Sequence, residues 1–209
     1  MKKSIYILVT SILLGALPAQ ARQIETAVFA GGCFWCIESD FESVKGVKEV
    51  VSGYTGGSTK NPTYKTIADH YEAVEITYDA DIVDYETLVN LFFRSVDPLD
   101  AGGQFCDRGK NYSTAIFAQT PQQSETATKV KAQIDASKVL RKKIVTPILG
   151  KFEFTNAEAF HQNYYKSSKR VVTRFGVVQK KDAYKRYRKG CGRDARVKQL
   201  WGDAAAFAH

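Results

Sequence analysis

Apolar and polar positions change their period several times along this chain, and each change predicts an element. Residues 26–30 form a short apolar run that enters Gly31-Gly32, the pattern of a strand meeting a tight turn. From Cys33 the spacing becomes helical, with Phe34, Ile37, Phe41 and Val44 at three- and four-residue intervals until Gly46 ends the run. Residues 47–54 read as a strand, and Gly56-Gly57 with Asn61-Pro62 mark a long loop. Residues 71–78 alternate Val74, Ile76 and Tyr78 with Glu75 and Thr77, which predicts a second such strand. Asp84 is placed to cap a helix that carries Leu88, Leu91, Phe92 and Val96 on one face and stops at Asp97-Pro98. Residues 99–111 are irregular, and a loop of that length inside a domain is more often functional than idle. Residues 113–118 return as a strand. Thr120-Pro121 with Gln123 predicts a capping box opening a polar helix toward Lys142, and Thr155 with Glu158 predicts the same device ahead of a further helix.

Strand, helix, strand, strand, helix, strand places the chain in the α+β class. The order is that of a ferredoxin-like split β-α-β core, here with added helices and a long C-terminal tail. No internal repeat interrupts it, so residues 22–209 are expected to form a single domain.

The first residues change this picture. Lys2 and Lys3 precede an apolar run at 5–17, too short to span a bilayer, and Ala19-Gln20-Ala21 follows as a small-x-small cleavage pattern. Residues 1–21 are therefore expected to be a signal peptide, and the mature protein to be periplasmic or secreted, with no stable membrane insertion. Its removal takes two positive charges from the formal +8 of the 209-residue chain. Thirteen Lys or Arg lie between Lys166 and Lys198 against only Asp182 and Asp194, a run read as a solvated face because no nucleic-acid motif frames it. No nucleic-acid partner is expected, and the protein is expected to be a monomer.

Four cysteines carry the candidate chemistry: Cys33, Cys36, Cys106 and Cys191. Cys33 and Cys36 lie three residues apart among glycines and aromatics, whereas structural disulfides staple distant loops. A thiol at the first turn of a helix faces unpaired N–H groups and the positive end of the dipole, which predicts a thiolate nucleophile at Cys33. Phe34 and Trp35 set two aromatic rings beside it. Cys36 lies one turn further on, where Cα atoms fall within roughly the 4.4–6.8 Å that a disulfide requires. Cys191 lies between Gly190 and Gly192, whose freedom lets a tail swing.

Gly31-Gly32-Cys33-Phe34-Trp35 resembles the signature of the A-type peptide methionine sulfoxide reductases. The resemblance continues through Gly53-Tyr54-Thr55-Gly56-Gly57, Asn61-Pro62-Thr63-Tyr64, Tyr71-Glu72, Asp97-Pro98, Asp107-Arg108-Gly109 with Tyr112, His161-Gln162-Asn163-Tyr164 and Cys191-Gly192-Arg193-Asp194. It implies an enzyme that reduces methionine sulfoxide, protein-bound or free, of the S epimer, with Cys33 as nucleophile, Glu72 as general acid and Tyr54, Asp107 and Tyr112 as supporting groups. Phe34 and Trp35 then hold the substrate. The attack leaves a sulfenic acid on Cys33, a step on the oxidation ladder that a second thiol reverses. By resemblance Cys191 matches the recycling cysteine and is the favoured resolving thiol, with Cys36 as the direct alternative and Cys106 as a bystander. A thioredoxin-like donor is the implied partner, and no cofactor or metal is required. His161 is expected to cap or pack within its helix. Three departures stand out: Cys36 where glycine is common, Ser113 where arginine commonly follows the tyrosine, and a longer stretch at 166–189. Two other classes fit Cys-x-x-Cys less well. A metal-binding module leaves Phe34 and Trp35 without a purpose, and a thioredoxin-like disulfide carrier is set apart by activity toward a free sulfoxide.

Overall fold

The computed structural model describes residues 22–174 and 176–208; the expected signal peptide lies outside the described residues. In chain order the elements are β1 (Ile24–Gly31), α1 (Phe34–Glu42), β2 (Val47–Thr55), β3 (Tyr71–Asp79) and α2 (Tyr85–Phe93), then a small hairpin of β4 (Gly103–Gln104) and β5 (Asp107–Arg108). β6 (Thr114–Phe117), α3 (Pro121–Ser137), β7 (Ile148–Leu149) and β8 (Thr155–Asn156) follow. The C-terminal part comprises β9 (Arg170–Thr173), β10 (Gly176–Gln179), α4 (Lys180–Gly190) and α5 (Arg193–Trp201). The α+β expectation holds.

A six-stranded sheet runs in the order β7-β6-β1-β3-β2-β8. Its pairs are antiparallel except β6 with β7. Both faces are covered, as the alternation in β1 requires. Ala27 and Phe29 join the main core with α1, α2 and α3, whereas Val28 and Ala30 point into a second cluster with Ala73, Ala115 and Phe117. Phe29 stacks on Phe92 at 4.9 Å, and each such buried ring contributes roughly 1.5–3 kcal/mol by removal from water.

The caps follow the side-chain chemistry. Asp84 accepts the Thr87 N–H at 2.7 Å, and Thr120 accepts that of Gln123 at 3.1 Å. α3 ends earlier than its polar pattern suggests, with Lys138 in the left-handed region at φ 56°. The helix expected after Thr155 does not form. Thr155 pairs with Tyr54 in the sheet, residues 159–163 make turns, and the Glu158 carboxylate is taken by the Tyr54 hydroxyl at 2.8 Å and the Tyr64 N–H at 3.0 Å. Partners distant in sequence outcompeted the local cap.

The basic C-terminal stretch is not a free tail. Arg188 reaches buried Asp40 at 2.6 Å, and Arg193, 2% exposed, donates to the carbonyls of Gly31 at 3.2 Å and Ser95 at 3.0 Å. Two cations of a run read as solvated thus anchor α4 and α5 to the core, because each finds buried acceptors that no local pattern reveals. Among the described residues no helix is long and apolar enough to cross a membrane.

Candidate active site

The turn between β1 and α1 has to be glycine. Gly32 has φ +83°, and a Cβ there would lie 2.6 Å from the Cβ of Gln104. Gln104 is itself fully buried and clips Asp97 by its N–H at 2.9 Å and its carbonyl at 2.8 Å. The loop at 97–104 and the end of β1 are thereby locked together, and Cys33 emerges as the capping residue of α1.

The backbone donors at this helix end are not left for the sulfur. Phe34 N–H donates to Glu72 Oε2 at 3.1 Å, and Cys36 N–H to the Cys33 carbonyl at 3.0 Å. Burial, the hydrogen bond and charge of Cys36, and the nearby Glu72 and Asp107 push the Cys33 thiol well above its ordinary range. Burial thus works against the thiolate expected at Cys33 from its place at the helix start. Cys36 moves down instead, through its hydrogen bond with Cys33 and the positive charges of Arg193 and Arg188.

Glu72 lies on β3 and is 2% exposed. Burial pushes its carboxyl up to about 8, with Asp107 and Cys36 adding to the effect and the Phe34 N–H opposing it. At neutral pH it holds a proton. Cys33, Phe34, Trp35, Glu72, Asp107 and Tyr112, all selected from the sequence, line one cleft of about 60 Å³. Tyr64 and Tyr187 complete it. Tyr64 and Tyr112 bring their hydroxyls to 3.4 Å, and the Tyr187 hydroxyl donates to Asp107 Oδ2. Desolvation raises the Asp107 carboxyl as well.

Tyr54 is not in this group. Its ring packs behind Phe34 at 5.9 Å and its hydroxyl is spent on Glu158, so the phenol beside the cleft comes from Tyr64. The motif containing Tyr64 was visible in the sequence, but which tyrosine faces the cleft depends on how the loop after β2 folds back. Tyr187 gave no local signal, since it meets Asp107 across 80 residues. His161, expected in a helix, sits in a turn. It is 2% exposed against Phe34, Trp35 and Tyr64, and burial brings its imidazole down to about 4, so it is neutral.

Cys106, expected to be a bystander, is bonded to Cys191, with Cα atoms 4.9 Å apart, while Cys33 and Cys36 are free thiols. Cys191 caps α4 through its N–H to the Tyr187 carbonyl at 2.9 Å, so it is positioned by a helix end instead of a swinging tail. Cys106 is exposed and borders Asp107 in the cleft.

The family model described as peptide methionine sulfoxide reductase matches residues 25–193. The chain belongs to that family. It is similar to the peptide methionine sulfoxide reductase MsrA 2 of Rhizobium meliloti, 46% identical over 95% of this chain and 93% of the relative. The MsrA of Bacillus subtilis is 43% identical over 85% and 96%. Among solved structures, methionine sulfoxide reductase A of Corynebacterium diphtheriae superposes with a TM-score of 0.59 at 29% identity, covering 73% of this chain and 78% of that one. Mxr1 of Saccharomyces cerevisiae, in its reduced form, shares the fold, with a TM-score of 0.62 at 23% identity over 70% and 86%. The enzyme is thus a peptide methionine sulfoxide reductase, an oxidoreductase whose working groups are redox cysteines. The cleft suits that reaction, since it sets a buried thiol, a protonated carboxyl and apolar rings around one small space.

Proposed function

We propose that Cys33 attacks the sulfoxide sulfur of an S-epimer methionine sulfoxide while Glu72 protonates the departing oxygen. The observation that carries this reading is a buried Glu72 carboxyl, pushed up to about 8, in the same cleft as the free Cys33 thiol. A new bond forms between the two sulfurs as Glu72 gives its proton to the oxygen, the Cys33 proton passes to the Glu72 carboxylate, and collapse breaks the sulfur–sulfur bond and transfers the hydroxyl to Cys33. Methionine leaves and Cys33 becomes a sulfenic acid. Tyr64 and Tyr112 orient the oxygen, and Asp107, held by Tyr187, keeps Glu72 protonated by its negative charge. Phe34 and Trp35 form the apolar wall for the substrate methyl group. Incubating the reduced enzyme with each epimer of a sulfoxide peptide and weighing the product tests the assignment. Loss of one oxygen from the S epimer alone is expected; reduction of the R epimer would refute it.

The Cys106–Cys191 disulfide supports the following resolving order. Cys191 condenses with the sulfenic acid, releasing water and forming a Cys33 to Cys191 bond. Cys106 then attacks Cys191, which frees Cys33 and leaves the Cys106–Cys191 disulfide. That end state supports Cys191 over Cys36 as the resolving thiol. The exposed Cys106 sulfur is the point at which a thioredoxin-like dithiol enters. Cys191→Ser is expected to perform one turnover and stall, and donor-driven turnover falls at least about tenfold because no exchangeable disulfide forms at the surface. Full donor-driven turnover by Cys191→Ser, with a Cys33 to Cys36 bond in the digest, would reassign the role to Cys36.

The same proposal includes export, resting on the charged and apolar pattern of residues 1–21. It also takes the core as a ferredoxin-like split β-α-β unit, a reading supported by the β6-β1-β3-β2 order and the crossover of α1 between β1 and β2.

A further inference from the structure

One buried carboxyl has no part in the chemistry above. Glu38 lies on α1 with no exposed surface, one turn after Trp35. Its Oε1 accepts the backbone N–H of Asn163 at 2.7 Å, and its Oε2 accepts the Ser52 hydroxyl at 3.3 Å. Asn163 stands in the left-handed region at φ 55°, a conformation uncommon for non-glycine residues but one that asparagine adopts more readily than most. The next residue, Tyr164, lays its ring on Trp35 with centroids 3.8 Å apart and planes 9° from parallel. Positions 35 and 38 are neighbours on one helical face, and positions 163 and 164 are neighbours on the facing segment. The two contacts are therefore successive rungs between the same pair of elements.

We infer that Glu38 is a positioning residue for the reaction: it fixes the backbone at Asn163 so that Tyr164 backs Trp35 and holds the indole as the substrate wall. The inference rests on the reading of Trp35 as that wall. Gln162 strengthens the same segment by bonding both the N–H and the carbonyl of Ser52, at 3.0 and 2.8 Å, whereas the Asn163 N–H goes to Glu38. Glu38 holds the segment by its backbone on the side before the stacked tyrosine, while Glu42 at the end of α1 takes the Tyr165 hydroxyl on the side after it. Burial pushes the Glu38 carboxyl up to about 7, so its protonated form is accessible near neutrality and a neutral amide is a fair mimic of it. A glutamine retains an oxygen for the Asn163 N–H. An alanine leaves that buried donor without a partner.

The test is single-turnover reduction of a sulfoxide-containing peptide by pre-reduced enzyme, read as half-saturating concentration and limiting rate for four variants. Glu38→Ala is expected to raise the half-saturating concentration about tenfold with little change in limiting rate, since about 1.4 kcal/mol of wall alignment corresponds to a factor of ten. Glu38→Gln is expected to restore it to the parent value. Tyr164→Leu, which removes the stacked ring but leaves the Glu38 contact, is expected to reproduce the Glu38→Ala result. Trp35→Ala is expected to show the largest rise, about tenfold or more, through lost apolar contact. A folded Glu38→Ala enzyme with parental half-saturation, alongside an affected Trp35→Ala, overturns the role of Glu38 and leaves the wall intact. Parental half-saturation in Trp35→Ala overturns the wall itself. If Glu38→Ala does not fold, Tyr164→Leu decides: a parental value there, or failure of Glu38→Gln to match the parent, refutes the inference.

Discussion

Cys33→Ser is expected to abolish sulfoxide reduction, lowering turnover by at least about 10³-fold, because a serine hydroxyl is a far weaker nucleophile at neutral pH and no second thiol occupies its place in the cleft. The fold should persist. Cys33 takes no part in the disulfide, is 7% exposed, and has Cys36 beside it as a hydrogen-bond partner for the new hydroxyl. The variant separates entry from exit of oxidising equivalents. With Cys33 absent, sulfoxide should no longer drive formation of the Cys106–Cys191 disulfide, whereas a small disulfide oxidant still should. Methionine formation coupled to a donor, with thermal unfolding as control, measures both. Residual turnover above about 1% of the parent would remove Cys33 as nucleophile.

Glu72→Gln is expected to slow methionine formation in a single turnover by about 10²-fold or more, the range for loss of a positioned general acid. Glutamine preserves the volume and can still accept the Phe34 N–H, so the loss isolates the proton. The pH profile carries the same signature. With the carboxyl at about 8, the acid form dominates below that pH, and the parent rate should decline as pH rises through about 8. The variant should lack that limb. Stability should also fall with rising pH, over a lower window. An unfolded glutamate ionises near 4.5, so between there and about 8 the folded state keeps a proton that the unfolded state has lost. Folded stability from this group therefore falls as pH rises across that window, and Glu72→Gln, with no charge to bury, should not share the fall. A parental rate in Glu72→Gln, or an unchanged alkaline limb, would place the acid elsewhere.

Periodicity alone was enough for β1, α1, β2, β3, α2 and β6, because each buries a face whose spacing is written locally. The Asp84 and Thr120 caps were legible for the same reason, since a cap needs only its own next three residues. The nucleophile, the aromatic pair and the acid could be picked from motifs that survive as short strings. What the string could not carry were competitions between distant partners. Thr155 and Glu158 spell a capping box, yet Tyr54 and Tyr64 claim them. Cys33 stands at a helix start, yet Glu72 takes the Phe34 donor and burial pushes the thiol up. The glycines around Cys191 suggest motion, yet Arg188 and Arg193 pin its flanks and Cys106 closes the bond across 85 residues. Local sequence determined the elements named above and the candidate reacting groups of the proposed mechanism. Tertiary packing decided their protonation, their partners and which tyrosines face the cleft, because those depend on desolvation and on contacts that form only when the chain closes on itself.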